Sequence, residues 1–144
     1  MAERAGPRSL DEAKDWMRNT LKRRVHPMGL TDPEATRAVI DGLDGLDGAS
    51  WASAWMERGD QYRTEAEAAE ARGNTEAARE AWYQAYGFYF LGRFPCPNHP
   101  AKEDSYRREI DAYRRFGALL SPAIEVVHLP FAGREGEGQE LVLY

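Results

Sequence analysis

Apolar positions recur at helical spacing through most of the chain and change to alternation near its C-terminal end. Ser9-Leu10-Asp11-Glu12 has the form of a capping box, in which the Ser9 oxygen meets an orphan amide three residues on while Glu12 reaches back. Leu10, Ala13, Trp16, Met17, Leu21 and Val25 share one face of the helix this predicts. His26-Pro27 stops it, because proline disfavours a helical residue before it. Lys14, Arg18, Lys22 and Arg23 take the other face and read as solvated surface. Thr31-Asp32-Pro33-Glu34 starts a short second helix to about Asp41, with proline at the first helical position, where its missing amide is harmless. Trp51, Trp55, Tyr62, Ala66 and Ala69 predict a long helix from Ser50 to Arg72, ended by Gly73. Asn74 or Thr75 then caps a fourth helix to about Phe94, whose Ala78, Ala81, Trp82, Ala85, Tyr86 and Tyr89 face the third across a tight turn. A fifth, Lys102 to Leu120, sets Tyr106, Ile110, Tyr113, Gly117 and Leu120 on one side, with Arg107, Arg108, Arg114 and Arg115 facing away.

After Ser121-Pro122 the period falls towards two. Ile124, Val126 and His128 alternate with Val127, Leu129 and Phe131, and the chain resumes beyond a Gly- and Glu-rich turn as Leu141-Val142-Leu143-Tyr144. This reads as a β-hairpin with Pro130 at an edge. The expected fold is mainly α: an antiparallel helical bundle of about five helices over residues 1–122, then a C-terminal β-hairpin over 123–144. Because an isolated hairpin is marginal in water, the hairpin is expected to begin a sheet that the chain does not itself contain.

Composition sharpens that division. Leu, Ile, Val and Phe number only 24 of 144 residues, whereas aromatics number 16 and alanines 21, a mixture suited to close helix contacts filled by rings. Four of the eight Val and Ile residues fall after Pro122. The net charge of −5, with both signs interspersed, offers no basic stripe for nucleic acid. No apolar run reaches membrane-helix length and no signal peptide opens the chain, so a cytoplasmic protein without membrane contact is expected. The single cysteine, Cys96, leaves stability to the core.

Candidate chemistry is sparse. The acidic residues Asp41, Asp44 and Asp47 lack the alternate oxygens and terminal Glu of a calcium loop and read as a Gly-rich connection with a helix-capping Asp. Cys96 and His99 have the spacing of half a zinc site without a second half, and no cofactor is expected. No G-x-S-x-G, H-E-x-x-H, P-loop or G-x-G-x-x-G occurs, so the chain holds no catalytic residue of those types. What remains is aromatic: Tyr83, Tyr86, Tyr89, Phe90 and Phe94, with His99 beyond, crowd one helix end and a loop of three prolines. They are candidates first for packing between helices and second for a pocket wall that orients a flat, oxygenated small molecule.

Trp55, Gly59 and Tyr62 match the spacing of a tetratricopeptide first helix, but Arg58 stands at its Leu position and no second copy follows. The order of pieces over Ser50 to Tyr144 gives a wider likeness. The Trp51-Trp55-Gly59 hairpin, the Trp82 to Phe94 segment, the proline loop, the Tyr106 to Tyr113 helix and Ile124-Glu125-Val126-Val127-His128-Leu129-Pro130-Phe131 follow one another. That order resembles the N-terminal helical lid region of α/β-hydrolases, in the group of dihydroxypseudooxynicotine hydrolases and fungal hydrolases that shorten polyketides. The resemblance implies that Ile124 to Phe131 and Glu140 to Tyr144 are the first strands of the hydrolase sheet. It implies too a lid that shapes the substrate pocket and takes part in homodimer contacts, while a catalytic domain, in the same polypeptide or a separate chain, cleaves carbon–carbon or ester bonds of ketone-bearing substrates. The alternative from another class is a stand-alone tetratricopeptide-like adaptor that binds a protein partner.

Overall fold

The structure is a computed structural model that describes residues 9–133 and 136–143. Five helices precede a two-stranded antiparallel sheet: α1 (Leu10–Lys22), α2 (Pro33–Gly42), α3 (Gly48–Ala71), α4 (Thr75–Arg93), α5 (Pro100–Ala118), β1 (Val127–Gly133) and β2 (Gly136–Leu143). The mainly α bundle and terminal hairpin follow the sequence pattern. The start signals act as expected. Ser9 and Glu12 close the capping box on α1, Asp32 accepts from Ala35 N–H ahead of Pro33, and Asn74 accepts from Ala77 N–H. Asp47 caps α3 by accepting from Ala49 and Ser50 N–H, which starts that helix two residues before Ser50. Those amide bonds, the one to Ser50 foremost, hold the Asp47 carboxyl below its ordinary value. Gly73 ends the α3 turn with φ +69°, a conformation costly for any side chain with a Cβ.

Helix α4 is the centre of the body. One core cluster joins Ala13, Met17 and Leu21 of α1 and Val39 and Ile40 of α2 to Trp55, Phe88 and Leu91. A second joins Ala66, Ala81, Trp82, Ala85, Tyr89 and Ala112 where α3, α4 and α5 meet. Trp55, Trp82, Phe88 and Tyr89 are all but fully buried. Each such ring removes about 150–250 Å² from water, a gross gain on the order of 4–6 kcal/mol at about 25 cal/mol per Å². Alanines between them let the helices approach, and Gly59 goes further: a Cβ there would lie 2.6 Å from Cε1 of Tyr89. Trp51 Nε1–H donates to the Leu91 carbonyl at 2.8 Å, so α3 also grips the end of α4 through a polar contact.

Four expectations need correcting. In α1, Trp16 is exposed, because this edge helix buries only the narrow Ala13-Met17-Leu21 stripe, and Val25 lies beyond the helix end and is exposed as well. Its basic face is not merely solvated: Lys14 Nζ donates to the Asp41 carbonyl at 3.0 Å and Arg18 pairs with Asp41 at 2.7 Å, tying α1 to the end of α2. In α5 the buried face is Lys102, Ser105, Glu109, Ala112 and Gly117, not the stripe led by Tyr106, Ile110 and Tyr113. Ser105 is small enough to lie against Gly92 and donates from Oγ to the Tyr89 carbonyl at 2.7 Å. That close approach fixes the rotation of α5 and turns its apolar stripe outwards. Arg108 and Arg115 do not face away either: Arg108 bonds Asp60 of α3, and Arg115 lies over the Trp82 ring with Glu70 at 3.7 Å.

The strands pair Val127 with Leu143 through Phe131 with Gln139, and Gly133 with Gly136, with an irregularity between Phe131 and Gly133. Ile124 is not part of β1. Its N–H donates to the Gly117 carbonyl at 3.0 Å, so it closes the end of α5. Among the described residues the two strands contact each other and no helix.

Candidate functional site

The outward stripe of α5 meets the outer side of α4 in a groove of about 300 Å³, lined by Tyr86 and Arg93 of α4 and Tyr106, Glu109, Ile110 and Tyr113 of α5. Its floor is an ion pair. Arg93 Nε donates to Glu109 Oε2 at 2.6 Å and Nη2 to Oε1 at 3.3 Å, a forked arrangement with the Glu109 side chain only 9% exposed. The Glu109 hydrogen bond raises Arg93 above its ordinary value against the opposing effect of burial, so the floor stays charged. Arg93 is also held between rings, 4.3 Å from the Phe90 centroid and 5.5 Å from that of Tyr106.

The walls are phenols. Tyr86 and Tyr113 have ring centroids 5.2 Å apart, and Tyr83 continues the row at 6.1 Å from Tyr86 and 5.2 Å from Phe116. Burial, then the nearby Glu109 carboxylate, raises Tyr86 above the ordinary phenol value. Tyr86 is therefore a neutral O–H donor at physiological pH. Neither Tyr86 nor Tyr106 has a hydrogen-bond partner for its hydroxyl among the described residues. The groove can thus hold a flat apolar body against its rings while offering two donors to its oxygen atoms.

The six residues singled out from the sequence do not form one constellation. Tyr86 lines the groove and Tyr83 stands behind it. Tyr89 points the other way, between α3 and α4, where its O–H donates to Asp60 at 2.7 Å. Phe90 and Phe94 are neighbours at 6.3 Å, and Phe90 carries His26 on its edge at 5.4 Å and Arg93 on its face. His99 caps α5, accepting from Ala101 N–H through Nδ1, and leans on Gly48 at the start of α3. The loop from Pro95 to Asn98 is exposed rather than packed, with Cys96 a free exposed thiol. Sequence reasoning missed Arg93, Tyr106, Glu109, Ile110 and Tyr113 as site residues. The signal was the second stripe of α5, Ser105-Glu109-Ala112, whose small residues mark the side that approaches α4.

No described helix is long and apolar enough to cross a membrane. No family model matches the chain. Over 124 residues the chain is 26% identical to hydrolase phmG of Phaeosphaeria nodorum, a match covering 81% of this chain and 28% of that protein. A stretch of that share of the chain must include all of α3 and α4. The similarity supports a relationship to hydrolases.

Proposed function

We propose that the chain is the substrate-covering helical segment of an α/β-hydrolase whose nucleophile, acidic residue and histidine belong to a catalytic domain, in the same polypeptide or in a separate chain. The observation that carries this reading is the similarity to hydrolase phmG across the helical body. In this role the segment excludes water from the reacting carbonyl and positions the substrate without supplying the nucleophile. The α4–α5 groove is its substrate-facing wall. Tyr86 and Tyr106 donate to ketone oxygens of a ketone-bearing or polyketide-like small molecule, the rings of Tyr86 and Tyr113 take its flat body, and the Arg93–Glu109 pair keeps the wall rigid. Homodimer contacts through the same helical body belong to the proposal.

The test combines this chain with the part of hydrolase phmG that the match does not cover, and follows hydrolysis of nitrophenyl esters and of β-diketones. The chain alone is expected to be inert and the combination active, with Tyr86→Phe and Tyr106→Phe each raising KM for the diketone about tenfold, the scale of one lost hydrogen bond to a bound ligand. Activity that is indifferent to the helical segment would overturn the reading. Selective capture of a peptide by the isolated, cooperatively folded chain would replace it with the tetratricopeptide-like adaptor.

A further inference from the structure

A second cavity, separate from the tyrosine groove, opens between α3 and α5 on the opposite side of α4. It measures about 180 Å³ and is lined by Arg63 of α3, Trp82 and Tyr89 of α4, and Arg107, Arg108 and Asp111 of α5. Three guanidinium groups from two helices therefore converge over an aromatic floor, and they are not equally engaged. Arg108 is the most engaged: it donates to both Asp60 oxygens at 2.7 Å and to Asp104 at 3.0 Å. Arg63 reaches Asp60 only at 3.7 Å, beyond hydrogen-bond distance, and its Nε is buried without a partner. Arg107 reaches Asp104 only at 3.5 Å and is largely exposed. The outer nitrogens of Arg63, whose side chain is 42% exposed, and of Arg107 therefore keep donor capacity that the chain itself does not use.

Two of the three carboxylates around the cavity are already committed. Asp60 accepts from the Tyr89 hydroxyl and from Arg108. Asp104 is held by Arg108 at 2.9 Å, whereas Asp111, which lines the cavity, reaches Arg115 only at 3.6 Å. What is left unspent is donor capacity on Arg63 and Arg107.

We infer that this cavity binds a small oxyanion, a carboxylate or phosphate group held by Arg63 and Arg107 over the Trp82 and Tyr89 rings. The forked guanidinium matches the planar carboxylate and the faces of a phosphate alike. The volume admits one such group with a small apolar substituent against the aromatic floor.

The experiment titrates the 144-residue chain by calorimetry with sodium benzoate and, separately, with inorganic phosphate, at constant ionic strength set by chloride. Saturable binding of either is expected, weakened about tenfold by Arg63→Gln and by Arg107→Gln, the scale of one charge-assisted hydrogen bond. Arg37→Gln, on the exposed side of α2, is expected to change nothing. Tighter benzoate identifies a carboxylate ligand and tighter phosphate a phosphate one, and either outcome upholds the oxyanion site. Absence of saturation with both, or equal weakening by the Arg37 variant, overturns it. Because Arg107 is largely exposed, its variant keeps the helical circular-dichroism spectrum and the result remains interpretable.

Discussion

Asp60 holds three helices with one side chain. From α3 it accepts the Tyr89 hydroxyl of α4 at 2.7 Å and the Arg108 guanidinium of α5 at 2.7 Å. Tyr89→Phe keeps the ring and removes only the donor, leaving Asp60 short of one bond. A loss of about 1–3 kcal/mol is expected, read as a lower urea midpoint at an unchanged m-value. The same phenol gives a pH dependence of defined sign. Burial, and then Asp60, raises Tyr89 above its ordinary value, so the folded chain keeps a proton that the unfolded chain releases near pH 10. Its contribution is complete below about pH 10 and is lost as the pH climbs above that towards the folded value. The melting temperature of Tyr89→Phe should therefore fall less steeply above pH 10 than that of the native chain, though not flatten, since burial raises Tyr62 and Tyr86 as well. Gly59→Ala addresses the other side of the same ring. The added methyl meets Tyr89 at 2.6 Å, and the crowding is expected to cost about 1–3 kcal/mol in thermal unfolding.

Among the elements, α5 shows where periodicity alone misleads. Two stripes run along it, Tyr106-Ile110-Tyr113 and Ser105-Glu109-Ala112, and by hydrophobicity the first should face the bundle. The structure buries the second, because Ser105 and Ala112 allow a close approach that tyrosines forbid, and because Glu109 finds Arg93 and Lys102 Nζ finds the Phe94 carbonyl. Helix starts, the α3–α4 hairpin and the Gly73 stop were legible, since caps and turn chemistry are local. The rotation of α5 was not, since it depends on partners contributed by α4. The groove inherits that limit: Tyr86 could be proposed from its own helix, whereas Tyr106, Glu109 and Tyr113 join it only through the rotation. Tyr106 is 42% exposed, so Tyr106→Ala should alter chemical stability by no more than about 0.5 kcal/mol. Arg93→Ala strands the mostly buried Glu109 and should cost about 2–3 kcal/mol, less than for a fully buried pair because the Arg93 side chain keeps some contact with water. Urea unfolding of the two variants side by side separates the residue that only lines the groove from the one that also pairs α4 with α5.

Across the whole molecule, stability is unevenly spread. The helical body carries both core clusters, while among the described residues the hairpin strands contact only each other. Strand amides of β1 and β2 should exchange with deuterium through local opening far cheaper than global unfolding, with those of α3 and α4 protected near the global limit. Equal protection in both would mean that the hairpin is stabilised by more than its own pairing. If a catalytic domain joins the hairpin, as proposed above, the same amides should gain protection while those of α4 change little.

The helices also meet mainly their neighbours in sequence: α1 with α2, α2 with α3, α3 with α4, and α4 with α5. Among the described residues, every large ring in the core precedes β1 along the chain. Such local connectivity favours rapid folding, and it has a direction. On a ribosome that adds about 5–20 residues per second, the helical body emerges ahead of the hairpin and can close before the strands follow it. Any sheet built onto that hairpin would then assemble against a finished template instead of competing with it.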